Sequence, residues 1–131
     1  MATLTPRLTL SGSAADLGAA LSLSVDDSLT IDEPFVGMSR ITTTTTGADS
    51  IILPNVNIPR YVYIKHTGLN SAGSSSGADK VKVETADGTA IMELKSGEFA
   101  FFPYYAQGSC LLQLEASANT CQVEYAYFTR G

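Results

Sequence analysis

The sequence predicts an all-β protein, and three observations support this prediction. Residues 80–103, "KVKVETADGTAIMELKSGEFAFFP", contain short runs in which apolar and polar side chains alternate, as they do in half-buried strands. Runs of the same kind recur along the chain, separated by Gly, Asp, Pro, Ser or Asn. Only one stretch has helix signals. About nine or ten short antiparallel strands at this spacing predict a two-sheet β-sandwich or a closed barrel.

Length and composition place the chain among compact single-domain proteins. At 131 residues and 44% hydrophobic it can bury a core without metal or disulfide bonds. We expect residues 1–13 to form an extended N-terminal arm and residues 14–131 to form one β-sandwich domain. The net charge of -5 disfavours nucleic acid as a partner, because phosphates would be repelled. No signal-peptide pattern or apolar run of about 18 residues is present, so we expect no membrane partner and folding in a cytoplasm.

Six strands are predicted in the first half of the chain. They are "RLTLS" (7–11), "ALSLSV" (20–25), "SLTI" (28–31), "MSRITTTTT" (38–46), "SIILP" (50–54) and "RYVYIKH" (60–66). The helix candidate, residues 14–20, follows Ser13 but contains Gly18 and is short, so we expect one turn only.

The threonine run at residues 42–46 favours a strand over a disordered spacer, because it has no Pro and is β-branched throughout. An alternating strand places Thr42, Thr44 and Thr46 on one face and the other two threonines on the opposite face. Such a strand suits a surface covered by another protein. An edge strand that lies wholly in water is the alternative.

Two tight turns predict a three-stranded meander in residues 80–103. The dipeptide Asp87-Gly88 is typical of a two-residue hairpin, and its register pairs Val83 with Met92, Val81 with Leu94 and Lys82 with Glu93. A second hairpin at Ser96-Gly97 would pair Leu94 with Phe99 and Met92 with Phe101. The three strands would then share one apolar face.

The aromatic segment "EFAFFPYY" is the strongest contact candidate. The meander register places Phe99 and Phe101 on the inner face, and Phe102, Tyr104 and Tyr105 on the other face or in the following loop. Exposed aromatics anchor protein interfaces or stack on sugar rings, and they also cover the second face of a sandwich.

The two cysteines are predicted to be free and buried. A hairpin near Ala118-Asn119 would set Cys121 opposite Ala116, about 20 Å along the ladder from Cys110, whereas a disulfide needs Cα atoms within about 7 Å. The polar loop 67–79 is too rich in Gly and Ser to be expected to pack.

No catalytic, metal or cofactor site is predicted. His66 is the only histidine, and no nucleophile elbow accompanies it, so a structural or surface role is favoured. Acidic pairs at 26–27 and 32–33 are interpreted as turn-forming residues, with a Ca²⁺ site where two loops meet as the alternative. We therefore expect a protein that is not an enzyme and needs no cofactor.

A family resemblance enters at "RYVYIKHTG", "DKVKVET", "ELKSGEFAFFP" and "CQVEYAYFTRG". Over roughly Arg60 to Gly131 the chain resembles small virion structural proteins of tailed bacteriophages, especially those of marine bacteria and cyanobacteria. Its most specific piece is Gly97 to Pro103. The resemblance implies a jelly-roll-like sandwich without enzymatic activity. It also implies a place on the capsid, or at the neck, tail or fibre attachment.

From this resemblance we expect a capsid decoration (cement) protein that binds the major capsid protein or other virion proteins, as a homotrimer, assembled in the bacterial cytoplasm. A neck, tail or fibre-adaptor protein and a host-glycan-binding module that uses Tyr61, Tyr63, Tyr104 or Tyr105 are the alternatives. The candidate contacts lie in the arm, in the threonine run and after Pro103. They are Thr3, Leu4, Thr5, Pro6, Arg7, Thr42, Thr44, Thr46, Tyr104 and Tyr105.

Overall fold

The computed structural model is all-β and antiparallel, as predicted. It describes residues 1–47, 50, 52–53, 57–108 and 110–131, without the side chains of 16–17 and 33–36. The first half contains β1 (Ala2–Leu4), β2 (Arg7–Gly12), α1 (Ala14–Leu17), β3 (Leu21–Asp26), β4 (Leu29–Thr43) and β5 (Pro59–His66). The second half contains β6 (Val81–Thr85), β7 (Ala90–Leu94), β8 (Phe99–Tyr105), β9 (Leu112–Ala116) and β10 (Cys121–Arg130). Among the described residues no helix has the length and apolar character needed to cross a membrane.

The chain divides into two compact units. The N-terminal unit contains Met1–Glu33 and Arg130–Gly131, and the larger unit contains Pro34–Thr129. The division that we predicted after Ser13 lies inside the N-terminal unit. Whether residues 14–131 fold as one domain stays a prediction.

The larger unit is sandwich-like, with two sheets that share one core. The first sheet has the order β4-β10-β5-β8, and the second has the order β7-β6-β9. The core takes side chains from both sheets, including Val62 and Ile64 of β5, Val81 of β6 and Leu114 of β9, and each of these is fully buried. In strand β5 the residues alternate between buried and half-buried along the whole length. Successive side chains of a strand point to opposite faces, so every second residue of β5 enters the core.

The first predicted hairpin is confirmed in its register. Strands β6 and β7 pair Val81 with Leu94, Lys82 with Glu93, and Val83 with Met92. Gly88 has φ 86°, but Asp87 does not have a positive φ, so the turn is not the two-residue loop that we predicted. Gly88 N–H donates to Thr85 O, and Thr85 N–H donates to Thr89 O, which gives a longer loop. A register shift follows Val83, so that Glu84 faces Ala90.

The other two predicted hairpins are wrong. Strand β8 pairs with β5 rather than β7, and β9 pairs with β6 rather than β10. Glu98 N–H still donates to the Lys95 carbonyl in a turn at Ser96-Gly97, but the chain crosses from one sheet to the other there. A tight turn fixes a local reversal and does not say whether the next strand pairs with the previous one.

The threonine run forms a strand only as far as Thr43, so the prediction for Thr44–Thr46 is wrong. Thr46 N–H donates to Thr44 Oγ1, a local bond that competes with a sheet ladder. Thr43 is fully buried. Among the residues of the predicted "SIILP" strand, Ser50, Ile52 and Leu53 are described and form no regular strand. Ile52 N–H nevertheless donates to Leu112 O.

The N-terminal unit is built from two pairs of strands. Strand β1 pairs with the start of β4, with Thr3 opposite Thr30. Strands β2 and β3 form a separate two-stranded sheet. Helix α1, between them, has four residues, which matches the single turn expected from the sequence. Ile31 is the one buried side chain among the unit's described residues.

Candidate interaction surfaces

A surface of aromatic side chains covers the outer side of the larger unit's first sheet. Strand β8 places Phe99, Phe101 and Tyr105 outward, with exposed fractions of 60%, 39% and 52%. Strand β5 adds the half-buried Tyr61 and Tyr63, since its alternate residues Val62 and Ile64 face the core. We call these five side chains the aromatic face.

The register of β5 and β8 assembles this face. Tyr63 lies opposite Phe101, Tyr61 opposite Pro103, and Lys65 opposite Phe99. The rings of Tyr61 and Phe101 stack with centroids 6.1 Å apart and an angle of 17°. Burial and the nearby Glu124 carboxylate raise the pKa of the Tyr63 hydroxyl, so the phenol stays neutral at physiological pH. The face therefore offers apolar ring surfaces together with the neutral hydroxyl of Tyr63.

Strand β8 is the last strand of its sheet among the described residues. His66 N–H donates to Glu98 O, and hydrogen-bonded and non-bonded pairs alternate along an antiparallel ladder. In the β5–β8 register Tyr61 and Pro103 therefore form a non-bonded pair, so that position 103 turns its backbone nitrogen away from β5. Proline is tolerated at that position because no ladder bond needs its N–H.

The predicted orientation of the aromatic segment is wrong. Phe102 and Tyr104 pack against the core, while Phe99 and Phe101 point outward. Tyr104 donates its hydroxyl to Cys110 O at 2.7 Å, and burial raises the pKa of this hydroxyl. The error follows from the incorrect β7–β8 pairing, which assigned β8 to the wrong sheet.

A second apolar surface lies on the β2–β3 hairpin of the N-terminal unit. Leu8 pairs with Val25, Leu10 with Leu23, and Gly12 with Leu21. Directly opposed residues share one side of a sheet, so the five large side chains lie together. We call them the leucine face. The opposite side of the hairpin is polar, with Thr9 paired to Ser24 and Ser11 to Ser22.

The predicted arm residues fall on and between the first two strands. Thr3 and Leu4 lie on β1, and Leu4 pairs with Leu29. Thr5 and Pro6 connect β1 to β2, and Pro6 O accepts a bond from Asp27 N–H. Arg7 begins β2 opposite Asp26. The two strands of this segment thus pair within the chain's own N-terminal unit.

The other predicted contact residues do not form one surface. Thr42 is exposed on β4, whereas Thr44 and Thr46 lie beyond the strand. Tyr105 belongs to the aromatic face, and Tyr104 does not. Sequence reasoning missed Phe99, Phe101 and the leucine face. The alternating side-chain pattern of β2, β3 and β8 is present in the sequence, but this pattern does not predict which side of each strand packs against the rest of the protein.

His66 is a fully buried structural residue. Its Nδ1 accepts the Gly68 N–H at 3.0 Å, and its Nε2 lies 3.0 Å from Asp79 O. Because Nδ1 is an acceptor, the neutral ring carries its hydrogen on Nε2 and donates it to the Asp79 carbonyl. One imidazole thereby joins the two ends of loop 67–79.

That polar loop is itself hydrogen-bonded rather than unstructured, contrary to our expectation. Asn70 Oδ1 accepts from Ala72 N–H and Ser74 N–H, and Leu69 forms a bridge with Ser75. The Gln122 side chain of β10 donates to Asn70 O at 2.8 Å. Asn, Ser and Thr side chains satisfy the loop's backbone groups in place of a sheet.

Both cysteines are free, as predicted, but only Cys121 is fully buried, while Cys110 is half-buried. Burial raises the pKa of the Cys121 thiol, with a smaller contribution from Asp79. No cluster of three His, Cys, Asp or Glu side chains with metal-binding geometry occurs among the described residues. The side chain of Glu33, part of the acidic candidate, lies outside them.

Arg60 is a buried cation on the core side of β5. Its guanidinium carbon lies 4.5 Å from the centroid of the Tyr127 ring, close enough for a cation–π interaction. Nε and Nη1 have no hydrogen-bond partner among the described residues. The Tyr127 ring therefore provides the favourable contact for this charge.

Comparison with protein-family models, curated proteins and solved structures gives no match.

Proposed function

We propose that this chain is a non-enzymatic structural protein of a tailed-bacteriophage virion, foremost a capsid decoration protein that binds the major capsid protein shell. The sequence resemblance over Arg60 to Gly131 supports the virion class. The proposal includes a homotrimer, a jelly-roll-like sandwich topology and assembly in the bacterial cytoplasm. It involves no cofactor, nucleic acid or membrane.

The aromatic face is the single observation that carries the binding role. Aromatic side chains dominate the energetics of protein interfaces because each buries about 150–250 Å². Here Phe99 and Phe101 stand outward on a strand that ends its sheet, with no described strand beyond them. The exposure of these two rings to water supports a role in which the protein binds a partner through this face.

The neighbouring charges limit the kind of partner. Lys65 lies opposite Glu124 in the ladder, and Arg40 forms a 2.7 Å ion pair with Glu124. The Glu124 carboxylate beside the rings is thus already paired with a cation, so a cationic ligand finds little attraction there. A mainly apolar protein surface fits this face best, with shape and buried area providing the affinity.

The decisive experiment is co-sedimentation with shells. Purified wild-type protein should sediment with empty capsids of the phage that encodes it, and Phe99→Ser/Phe101→Ser should weaken binding by at least about 100-fold, because two interface aromatics are lost. Ile91→Ser is the matched control, since Ile91 is 46% exposed on β7 of the other sheet. Wild-type protein that stays in the supernatant contradicts the decoration role.

Two alternatives are distinguished by further measurements. A neck, tail or fibre adaptor would be present at about a dozen copies per virion or fewer, whereas a decoration protein would number in the hundreds. A glycan-binding module is favoured by the stacked Tyr61 and Phe101 rings, since sugar rings bind to such platforms. If the wild-type protein binds glycans on an array and the Phe101→Ser variant does not, a glycan-binding function would replace the decoration proposal.

A further inference from the structure

The leucine face is an apolar surface that the chain leaves about half uncovered. Leu8, Leu10 and Leu23 are each 43% exposed, Leu21 is 44% exposed and Val25 is 52% exposed. Large apolar side chains that cluster on one side of a two-stranded sheet differ from single exposed leucines, which need no explanation. A cluster of this kind marks a contact surface.

The N-terminal unit lacks the usual means by which small units hold together. It has fewer than the roughly 40 residues below which disulfides, metals or oligomerisation are needed. Both cysteines of the chain lie outside it, at Cys110 and Cys121. The described residues contain no metal-binding cluster, and Ile31 is the unit's one buried side chain among them. Two strands alone are marginal in water, so cover from a second copy would stabilise the hairpin.

Charge points to a second copy as the occupant of this face. Copies of a chain with net charge -5 repel each other overall, and an uncharged contact adds no further repulsion and no desolvation of charges. All five members of the leucine face are uncharged. The hairpin's charged pair, Arg7 and Asp26, falls at alternate positions and therefore on the polar side. An uncharged apolar surface is also complementary to itself, as rotational symmetry between identical chains requires.

The area indicates how strong the contact would be. The exposed halves of five Leu and Val side chains amount to on the order of 300 Å² per copy, against about 800 Å² per partner in a standard stable interface. A contact through the leucine face alone would therefore be weak and reversible. The hairpin edges add backbone groups, because no further strand pairs with β2 or β3 in the described part of the chain.

We propose that copies of this chain associate through the leucine face, so that the apolar side of each β2–β3 hairpin is covered by that of a neighbouring copy. This inference supplies a contact for the homotrimer in the proposed function and does not depend on shell binding. If the chain self-associates but does not bind capsids, the self-association proposal stands and the decoration role fails. If the chain binds capsids as a monomer, the self-association proposal is wrong.

The first test is sedimentation velocity on the full chain over a range of concentrations. Wild-type protein should show reversible association, and Leu10→Ser/Leu23→Ser should raise the dissociation constant by about 100-fold or more. Thr9→Ala/Ser24→Ala is the matched control on the polar side of the same strands. Slow reaction of the buried Cys121 with a thiol reagent, in every variant, shows that the larger unit remains folded.

A cross-linking test covers the case in which the double serine variant simply melts the hairpin. In a Cys110→Ser background, Leu23→Cys places a thiol on the leucine face, while Ser24→Cys places it on the opposite side. A bismaleimide should link copies through Leu23→Cys and not through Ser24→Cys. Wild-type protein that is a single chain at every concentration, or equal cross-linking at the two positions, overturns the proposal.

Discussion

The two units of this chain use the same kind of strand in opposite ways. In the larger unit, the alternating residues Val62 and Ile64 of β5 are fully buried between two sheets. In the N-terminal unit, Leu8 and Leu10 of β2 alternate with polar residues just as regularly, yet they are nearly half exposed. Alternation alone therefore does not make a core, because a core needs a second layer to cover the apolar side.

The contrast separates folding from binding. The larger unit has the buried apolar surface that stabilises a domain, whereas the N-terminal unit holds its apolar surface available for a neighbour. Substitutions in the larger unit should thus change the free energy of unfolding. Those in the β2–β3 hairpin should mainly change association.

The largest expected effect comes from the centre of the core. Leu114→Ala should lower the free energy of unfolding by about 4 kcal/mol, since Leu114 is fully buried and its loss leaves a cavity. Leu10→Ala on the leucine face should cost less than about 1 kcal/mol in dilute protein. Urea unfolding followed by far-ultraviolet circular dichroism suits this comparison because it reports on the strands of both units, whereas all six tyrosines lie within residues 34–129. Equal losses for the two variants would remove the distinction between the units.

The second largest loss of stability is expected for a substitution at His66, which tests whether loop 67–79 belongs to the folded unit. His66→Ala leaves the Gly68 N–H and the Asp79 carbonyl without their partner, and should cost about 3 kcal/mol. The Gly68 amide should also exchange with solvent faster than in the wild type. Gly73→Ala is not a suitable control, because Gly73 has φ 77°. Ala72→Ser, an exposed change in the same loop, should leave both measurements unaltered.

A smaller loss is expected at Gly47. A methyl group there would overlap Glu84 Oε1 and would lie only 2.5 Å from Gln113 Nε2. These two side chains are buried and bonded to each other at 2.8 Å, so they cannot move aside freely. Gly47→Ala should therefore cost about 2 kcal/mol. Gly37→Ala, which meets no atom within 4 Å, should be close to neutral, and a similar loss at both positions would argue against tight packing around Gly47.

The smallest effect is a pH dependence in the Asp87-Gly88 turn. Hydrogen bonds from the Thr85 hydroxyl and the Thr89 N–H hold the pKa of Asp87 below its usual 3.8. A lowered pKa in the folded state stabilises the protein above pH 3.8, and this contribution is lost as the pH falls through the folded value. Asp87→Asn should thus lose less stability than the wild type on acidification below pH 3.8. Parallel melting-temperature curves for the two proteins would contradict this assignment.

Sequence reasoning succeeded where the controlling interactions are local. The Asp-Gly pair marks the reversal, and the alternating residues on either side of it predict the pairing of Val81 with Leu94, although the loop itself is longer than predicted. The same holds for the single turn of α1, where Gly18 directly follows a helical run of only four residues.

Sequence reasoning failed to assign strands to the correct sheet, because that assignment depends on residues far away in the chain. The Ser96-Gly97 turn is equally compatible with a hairpin and with a crossing between sheets. Strand β8 has aromatic residues on both sides, so its pattern could not reveal that Phe99 faces outward and Phe102 inward. The leucine face could not be predicted for a similar reason. The alternation in β2 and β3 predicts that one side of the hairpin is apolar, but it does not predict whether another part of the chain packs against that side.

The difference between the units is tested most directly by hydrogen exchange resolved along the chain, at concentrations below and above self-association. In dilute protein, the amides of β5 and β10 should be strongly protected, while those of β2 and β3 exchange orders of magnitude faster and gain protection as the concentration rises. Protection of β2 and β3 that equals that of β5 in dilute, monomeric protein would show that the N-terminal unit is stable alone, and would contradict a hairpin that depends on a neighbouring copy for its cover.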